Sequence, residues 1–296
     1  SHYNAGFHQT ATSGAFGATI VASKLLNLSE DQTINALGLV STRASGIKSQ
    51  FGTMGKPYHA GMAASNGIEA AKLSKLGFVS REDGIECDQG FFLTHGWDKK
   101  TPSRAVDNLG TDFLFPEIKY KFHACCHGLH SFLEALEELK QENNFNPESI
   151  EEIAIETNPS WLKVCNIQEP KTGLESKFSY KLTAAMSIYG KDTADLGTYN
   201  DDICFDDKMN NIRDKVKVIP NDQLSNTQSL ISIKDGSRDI KNKHDLSDKI
   251  DQNILETKIF NKSASLLSKN KFHEISKMLN APSETKVSSL VDCLVS

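Results

Sequence analysis

Small and apolar residues dominate the first part of the chain. Residues 10–28 are dense in alanine and glycine and carry few charges, which is typical of a buried helix packed closely against other helices. Ser29 suits a helix N-cap, Gln32 three residues on completes a capping box, and apolar residues recur at helical spacing after it. The pattern predicts two helices joined near residues 27–29.

A third helix is predicted after the glycine-rich segment at residues 45–57. Pro57 suits the first residue of a helix because that position needs no N–H donor, and the helix is expected to run to about Lys75. Small residues in its first turns permit close approach to a neighbouring backbone or a ligand. A mobile stretch is expected at residues 80–101.

The pattern changes near residues 115–116, where a short strand is predicted. Residues 131–141 then show helical spacing, and alternation predicts strands at residues 149–158, 214–219 and 230–240, with a hairpin turn at Asp235 and Gly236. From about His244 the patterning is helical again. The chain is therefore predicted to be mainly α, with a helical domain at residues 1–115, an α+β domain at 116–243 and a helical return to the first domain at 244–296.

Composition narrows the class of protein. The chain has 296 residues, 38% of them hydrophobic and 24% charged, which suits a globular protein with a sizeable core. A net charge of −5 without a clustered basic stripe argues against a nucleic-acid partner. No long apolar run or signal peptide is apparent, and the six cysteines are sparse, with Cys125 and Cys126 adjacent. We expect reduced thiols, no membrane partner and a cytoplasmic location.

Lys56 is the first candidate for chemistry. It follows a turn bracketed by Gly52 and Gly55 and precedes a predicted helix, so backbone N–H groups, the helix dipole and an ammonium are expected to converge into an anion site. The alternative is a solvated surface lysine.

Three further residues fall near this site or near the first helix. His59 is expected either to line the same pocket or to pack as a neutral residue, and Thr53 either to donate to a carboxylate or to bond its own backbone. His8 precedes a glycine-rich helix start, where an imidazole serves as an acid or base or as a packing residue.

Residues 121–130 bring lysine, cysteine and histidine together. A zinc site is disfavoured because Cys125 and Cys126 are adjacent and no second ligand pair follows at standard separation. A cysteine nucleophile with a depressed pKa is the next alternative, and buried structural thiols are the simpler interpretation. We favour His127 and His130 on the opening turn of the helix, with Lys121 directed into a cleft.

Nucleotide-binding and zinc-protease motifs are absent, since no GxGxxG, GxxxxGK[ST] or HExxH pattern occurs. We therefore expect chemistry that needs no cofactor and no metal.

Four segments in this order resemble the signatures of the MmgE/PrpD family. They are HYNAGFHQTATSGAFGA, SGIKSQFGTMGKPYHAGMAASNGIEAAKL, KFHACCHGLHSFLEAL and ESKFSYKLTAAMSIYG. The resemblance covers almost the whole chain and implies a helical main domain with a smaller α+β lid, usually in a homodimer. It also implies activity on small di- or tricarboxylates, as 2-methylcitrate dehydratase, cis-aconitate decarboxylase or iminodisuccinate epimerase.

The same resemblance implies roles for single residues. Lys56 and Lys121 match family lysines that face substrate carboxylates, His8 matches the GFH histidine, and Tyr180 falls where the family places a group near the pocket. We assign Lys56, Lys121 and His8 to catalysis, and Thr53, His59 and Tyr180 to substrate binding. Lys56, Lys121 and His8 are expected to line one cleft between the helical part and the α+β part.

The resemblance also raises an expectation about what is missing. Family members begin with a helical segment that supplies active-site groups, and the sequence is expected to lack it. A cofactor-free dehydratase of a hydroxy-polycarboxylate such as 2-methylcitrate is the first hypothesis. An epimerase or decarboxylase of the same family, or an incomplete remnant that binds a complementing N-terminal segment or another protein, is the alternative.

Overall fold

Two compact units make up the chain, Ser1–Ile118 and Lys119–Ser296. The computed structural model describes residues 2–96 and 107–295. The chain is mainly helical, with one small sheet of four strands. None of the described helices is long and apolar enough to cross a bilayer.

The first unit is helical throughout its regular structure. Its α-helices are α1 (Gln9–Leu25), α2 (Glu30–Ser41), α3 (Gly55–Lys75) and the short α4 (Phe91–Thr94), with a 3-10 turn at Lys48–Gln50. Helices α1 and α3 lie close together because small residues face each other. A Cβ added to Gly67 would lie 2.6 Å from the backbone nitrogen of Thr19, so only glycine fits this crossing. The predicted close packing of the first helix is confirmed.

Helix α2 begins at a reciprocal cap. The Ser29 side chain accepts from the Gln32 N–H at 3.2 Å, and the Gln32 side chain accepts from the Ser29 N–H at 3.0 Å. Asn27 turns the chain between α1 and α2 with a φ of 53°. The capping box and the helical hairpin predicted from the sequence are both present, since each depends on residues close together in the chain.

Two local predictions in the first unit and its border differ from the structure, and a third is untested. Helix α3 begins at Gly55, two residues before Pro57, because no N–H in the first turn of a helix needs an intrahelical acceptor. The strand predicted near residues 115–116 is wrong, since Phe115–Glu117 forms an exposed 3-10 turn. Of the stretch predicted to be mobile, residues 80–96 form turns and α4, whereas residues 97–101 lie outside the described part.

The second unit combines helices with the sheet. Its helices are α5 (His130–Glu142), α6 (Pro159–Leu162), α7 (Gly173–Ser176), α8 (Tyr180–Ile188), α9 (Asp207–Asp214), α10 (Gln252–Leu267), α11 (Lys269–Asn280) and α12 (Val287–Val295). Its 3-10 turns are His127–Leu129, Pro147–Ser149, Leu196–Thr198 and Asp202–Cys204. Its strands are β1 (Ile150–Thr157), β2 (Val216–Pro220), β3 (Gln228–Asp235) and β4 (Arg238–Asp245).

The sheet has the order β2-β1-β3-β4, parallel between β1 and β2 and antiparallel elsewhere. Alternation buries Ile153 and Ile155 of β1 against the helices, and α5 packs on β3 and β4. Gly236, with a φ of 60°, opens the two-residue turn between β3 and β4. The predicted strands and hairpin are confirmed.

The domain scheme at residues 1–115, 116–243 and 244–296 stays a prediction. Within the second unit, Lys258 of α10 forms an ion pair with Glu134 of α5. Lys262 of α10 also donates to the carbonyl of Ala194. The helical return to the first domain is untested.

The cap of α2 gives a test of the fold. Replacing Ser29 with alanine removes the acceptor for the Gln32 N–H and is expected to lower the free energy of unfolding by about 1 kcal/mol. Chemical denaturation monitored by circular dichroism measures the change. Ser13, exposed in the middle of α1, is the control, and Ser13→Ala is expected to be neutral or slightly stabilising. Equal effects at both positions would contradict the capping argument.

Candidate functional site

Two short backbone segments bring the starts of α1 and α3 together. Phe7 and Ile47 form an isolated antiparallel bridge, and the Lys48 N–H donates to the Gly6 carbonyl at 2.8 Å. The His8 N–H donates to the Gly46 carbonyl at 3.0 Å. His8 is the N-cap residue of α1, and its backbone is fixed by this hydrogen bond to a segment outside the helix.

The ring of His8 meets the ring of His59. Their Nδ1 atoms are 3.0 Å apart, and the edge of His8 faces Phe51 with ring centroids 4.9 Å apart. His8 is buried and His59 is half-buried. One Nδ1 must donate and the other accept, so the two imidazoles share one proton along this contact. Two candidate residues that are 51 positions apart in the sequence are therefore in contact.

Lys56 lies beside this pair as the second residue of α3. Its side chain is half-buried, with Nζ 5.1 Å from the centroid of the Phe51 ring. Burial, the neighbouring His59 and the Lys56 ammonium together lower the pKa of His8. His8 is therefore neutral at pH 7 and able to accept a proton.

The start of α3 lacks the free backbone donors that the sequence predicted. The Gly55 N–H donates to the Thr53 hydroxyl at 3.0 Å, the Lys56 N–H donates to the Thr53 carbonyl at 3.3 Å, and Pro57 has no N–H. The predicted convergence of backbone N–H groups is therefore wrong. The ammonium of Lys56 and the positive end of the helix dipole both lie at this end of α3. Thr53 bonds local backbone, and its contact with a substrate stays a prediction.

Lys121 belongs to the second unit, in the exposed loop before the 3-10 turn at His127–Leu129. Its charge acts on the groups that follow it. Burial and the Lys121 ammonium lower the pKa of His127, which is half-buried near Trp161. His130 is the first residue of α5 and is buried. A single cleft shared by Lys121, Lys56 and His8 stays a prediction.

The cysteines of this segment are structural. Cys125 and Cys126 are buried, and burial raises the pKa of Cys125 to about 12. The alternative of a nucleophile with a depressed pKa is wrong for Cys125, because the loss of hydration outweighs the nearby Lys121 charge, and for Cys126 it stays a prediction. Across residues 2–96 and 107–295, no three His, Cys, Asp or Glu side chains gather in a way that suits a metal ion.

Tyr180 lies in the core of the second unit rather than at a surface. It is fully buried, its hydroxyl donates to the Gly128 carbonyl at 2.7 Å, and its ring packs against Phe132. Thr157 also contacts the hydroxyl, at 3.2 Å. Because both ring and hydroxyl are occupied by the protein, we leave Tyr180 out of the candidate site.

The second unit contains a buried polar network that was not predicted from the sequence. His123 contacts the Thr193 hydroxyl at 2.6 Å and Glu134 at 3.0 Å, and Glu134 also pairs with Lys258. Burial alone would raise the pKa of Glu134, but His123 and Lys258 lower it to about 2. Glu134 and Lys258 neutralise each other beside a cavity of about 610 Å³. Nothing in the spacing of these residues indicates the network.

The domain comparisons agree with this architecture. Residues 1–102 match the MmgE/PrpD N-terminal domain and residues 123–279 match the MmgE/PrpD C-terminal domain. The chain belongs to the MmgE/PrpD family.

Several curated relatives carry related names. The cis-aconitate decarboxylase-like protein oryM of Aspergillus oryzae is 34% identical over 46% of this chain and 30% of its own length. A cis-aconitate decarboxylase of Aspergillus terreus is 34% identical over 47% of this chain and 30% of its own length. The human cis-aconitate decarboxylase is 35% identical over 33% of this chain and 21% of its own length. The chain therefore matches less than a third of the length of each of these relatives.

Gly46 gives a test of how the site is built. It has a φ of 147°, and an added Cβ would overlap Ala11 and lie 3.4 Å from the His59 ring. Gly46→Ala is expected to destabilise the protein by about 1–3 kcal/mol and to disturb the His8–His59 contact. Denaturation and histidine NMR spectra measure both effects. Gly61, with open space at its Cβ, is the control. An undisturbed His8 resonance in Gly46→Ala would contradict this role.

The electrostatics of His8 give a second test. Removing the Lys56 charge with Lys56→Met takes away a repulsion against imidazolium, so the pKa of His8 is expected to rise towards its ordinary value. An NMR titration of the His8 ring measures the shift. Lys72→Met, an exposed lysine near the far end of α3, is the control and is expected to leave the pKa of His8 unchanged. A fall or no change in Lys56→Met would contradict the proximity argument.

Proposed function

We propose that this chain acts as a lyase on a small polycarboxylate, with Lys56 as a carboxylate ligand and the His8–His59 pair as the proton-transfer group. One observation carries the proposal: a buried, neutral imidazole shares a proton with a second imidazole 3.0 Å away, beside a half-buried ammonium. A neutral base next to a fixed cation suits chemistry on a substrate that is itself an anion.

The chemistry follows from the protonation state of the pair. In dehydration, a neutral imidazole takes a proton from the carbon next to a carboxylate, and hydroxide leaves as water when it is protonated. In decarboxylation, the electron pair of the breaking carbon–carbon bond moves into the remaining unsaturated carboxylate, and an imidazolium delivers a proton to carbon. Both routes build negative charge on a carboxylate, which the Lys56 ammonium stabilises.

The substrate proposed first is a tricarboxylate of the cis-aconitate type. The support is that the curated relatives carry the name cis-aconitate decarboxylase. Lys121, which lies in the second unit, is proposed as a further carboxylate ligand. Dehydration of 2-methylcitrate, an epimerase activity, a homodimer and a cytosolic location remain predictions from the sequence.

Binding and turnover test this proposal separately. Lys56→Ala is expected to weaken binding of cis-aconitate by about tenfold or more, because it removes a charged carboxylate ligand. His8→Gln is expected to reduce turnover by about a hundred- to ten-thousand-fold while binding changes little. Calorimetry measures binding, and release of carbon dioxide or water distinguishes decarboxylation from dehydration. If the reaction is dehydration, activity is expected to fall on acidification below pH 6.5, since protonated His8 cannot accept a proton.

The control for Lys56 is Lys72→Ala, which removes an exposed charge from the same helix. Both assays are expected to be unaffected by this change. Binding that survives Lys56→Ala unchanged would remove Lys56 from the site, and turnover that survives His8→Gln would remove the imidazole pair from the mechanism.

A further inference from the structure

Two lysines of the second unit flank one loop, residues 193–199. Lys262 of α10 donates its Nζ to the Ala194 carbonyl at 2.6 Å. Lys177, just after α7, places its Nζ 5.7 Å from the centroid of the Tyr199 ring. Both side chains are half-buried. The loop therefore holds an ammonium near each of its ends.

The same loop is fastened to the segment that carries Lys121. The Ala124 N–H donates to the Thr193 carbonyl at 2.8 Å, and the Tyr199 hydroxyl donates to that carbonyl at 3.0 Å. The Cys126 N–H donates to the carbonyl of Lys177 at 2.9 Å. These main-chain bonds fix Lys177 relative to the loop that begins at Lys121.

The cations of this region lack paired acids. Within the described parts of the chain, no carboxylate forms an ion pair with Lys121, Lys177 or Lys262. Asp192 and Asp195 attract Lys262 only from a longer distance. Burial lowers the pKa of Lys177 and of Lys262, and the Lys121 charge lowers that of Lys262 further, so both ammoniums are partly dehydrated and Lys121 repels Lys262.

Lys258 differs from Lys177 and Lys262 because it has a carboxylate partner. Lys258 lies on the same helix as Lys262 and is neutralised by Glu134. A partly buried cation without an acid is costly unless an anion supplies the missing charge. Two such cations flank this loop, and the exposed Lys121 lies on the segment bonded to it, which suits a ligand with more than one negative group. Cys125 is near enough to act on both lysines, but burial raises the pKa of its thiol to about 12, so the thiol is neutral at pH 7 and offers no compensation.

We propose that Lys177 and Lys262 join Lys121 in a carboxylate-binding subsite, which selects tricarboxylates over dicarboxylates. This inference rests on the proposed function and names cations of the second unit that bind carboxylate groups. Lys177 and Lys262 are binding residues in this subsite, and the proton transfer is assigned elsewhere.

The test compares two unreactive ligands with the full chain by calorimetry. Tricarballylate carries three carboxylates and glutarate carries two. Lys177→Met and Lys262→Met are each expected to weaken tricarballylate binding by about tenfold, with less than about a twofold change for glutarate. The arginine variants at both positions are expected to restore binding, because they keep the charge. Lys208→Met, an exposed lysine on α9, is the control.

The outcomes separate this subsite from the proposed function. Tricarballylate binding that depends on Lys56 but is unchanged in both methionine variants overturns the subsite and leaves the proposed function standing. An equal loss for both ligands overturns the selectivity. Inorganic phosphate that binds more tightly than tricarballylate, and is lost in Lys262→Met, overturns the carboxylate assignment. If the unmodified chain binds no polycarboxylate, the subsite and the proposed function fall together.

Discussion

The backbone pairing between residues 6–8 and 46–48 is the constraint on which the candidate site depends. It places the first turn of α1 beside the first turn of α3, and the Gly46 carbonyl accepts the His8 N–H. Without this pairing the His8 and His59 rings, 51 residues apart in sequence, would have no reason to meet. The helices supply rigidity, but these few main-chain contacts decide which side chains face each other.

Much of the fold could be predicted because it is encoded locally. The capping box at Ser29 needs only residues three apart, and the alternation in β1 reports which side of a strand is buried. The start of α3 was misplaced because Pro57 is tolerated anywhere in the first turn of a helix, so its position does not mark the boundary. The strand near residues 115–116 failed because apolar residues without a partner strand do not form one.

The site was harder to predict because burial decides its chemistry. The sequence pointed to Lys56, His59 and His8, but only the structure shows that two imidazoles share a proton. A reactive Cys125 was an alternative to a buried structural thiol, and burial raises its pKa to about 12. Tyr180 was assigned to substrate binding from the family resemblance and is fully buried. In each case tertiary contacts, which spacing along the chain does not report, change the hydration of the group.

The order of strands in the sheet has a consequence for synthesis. Strand β1 leaves the ribosome first but lies inside the sheet, between β2 and β3. The Lys217–Glu152 contact between β1 and β2 spans 65 residues, and β3 follows later still. Until those strands emerge, both edges of β1 present unpaired backbone groups. The nascent second unit therefore passes through a stage in which an apolar strand is open to association with other chains, and its assembly is slower than that of the helical first unit.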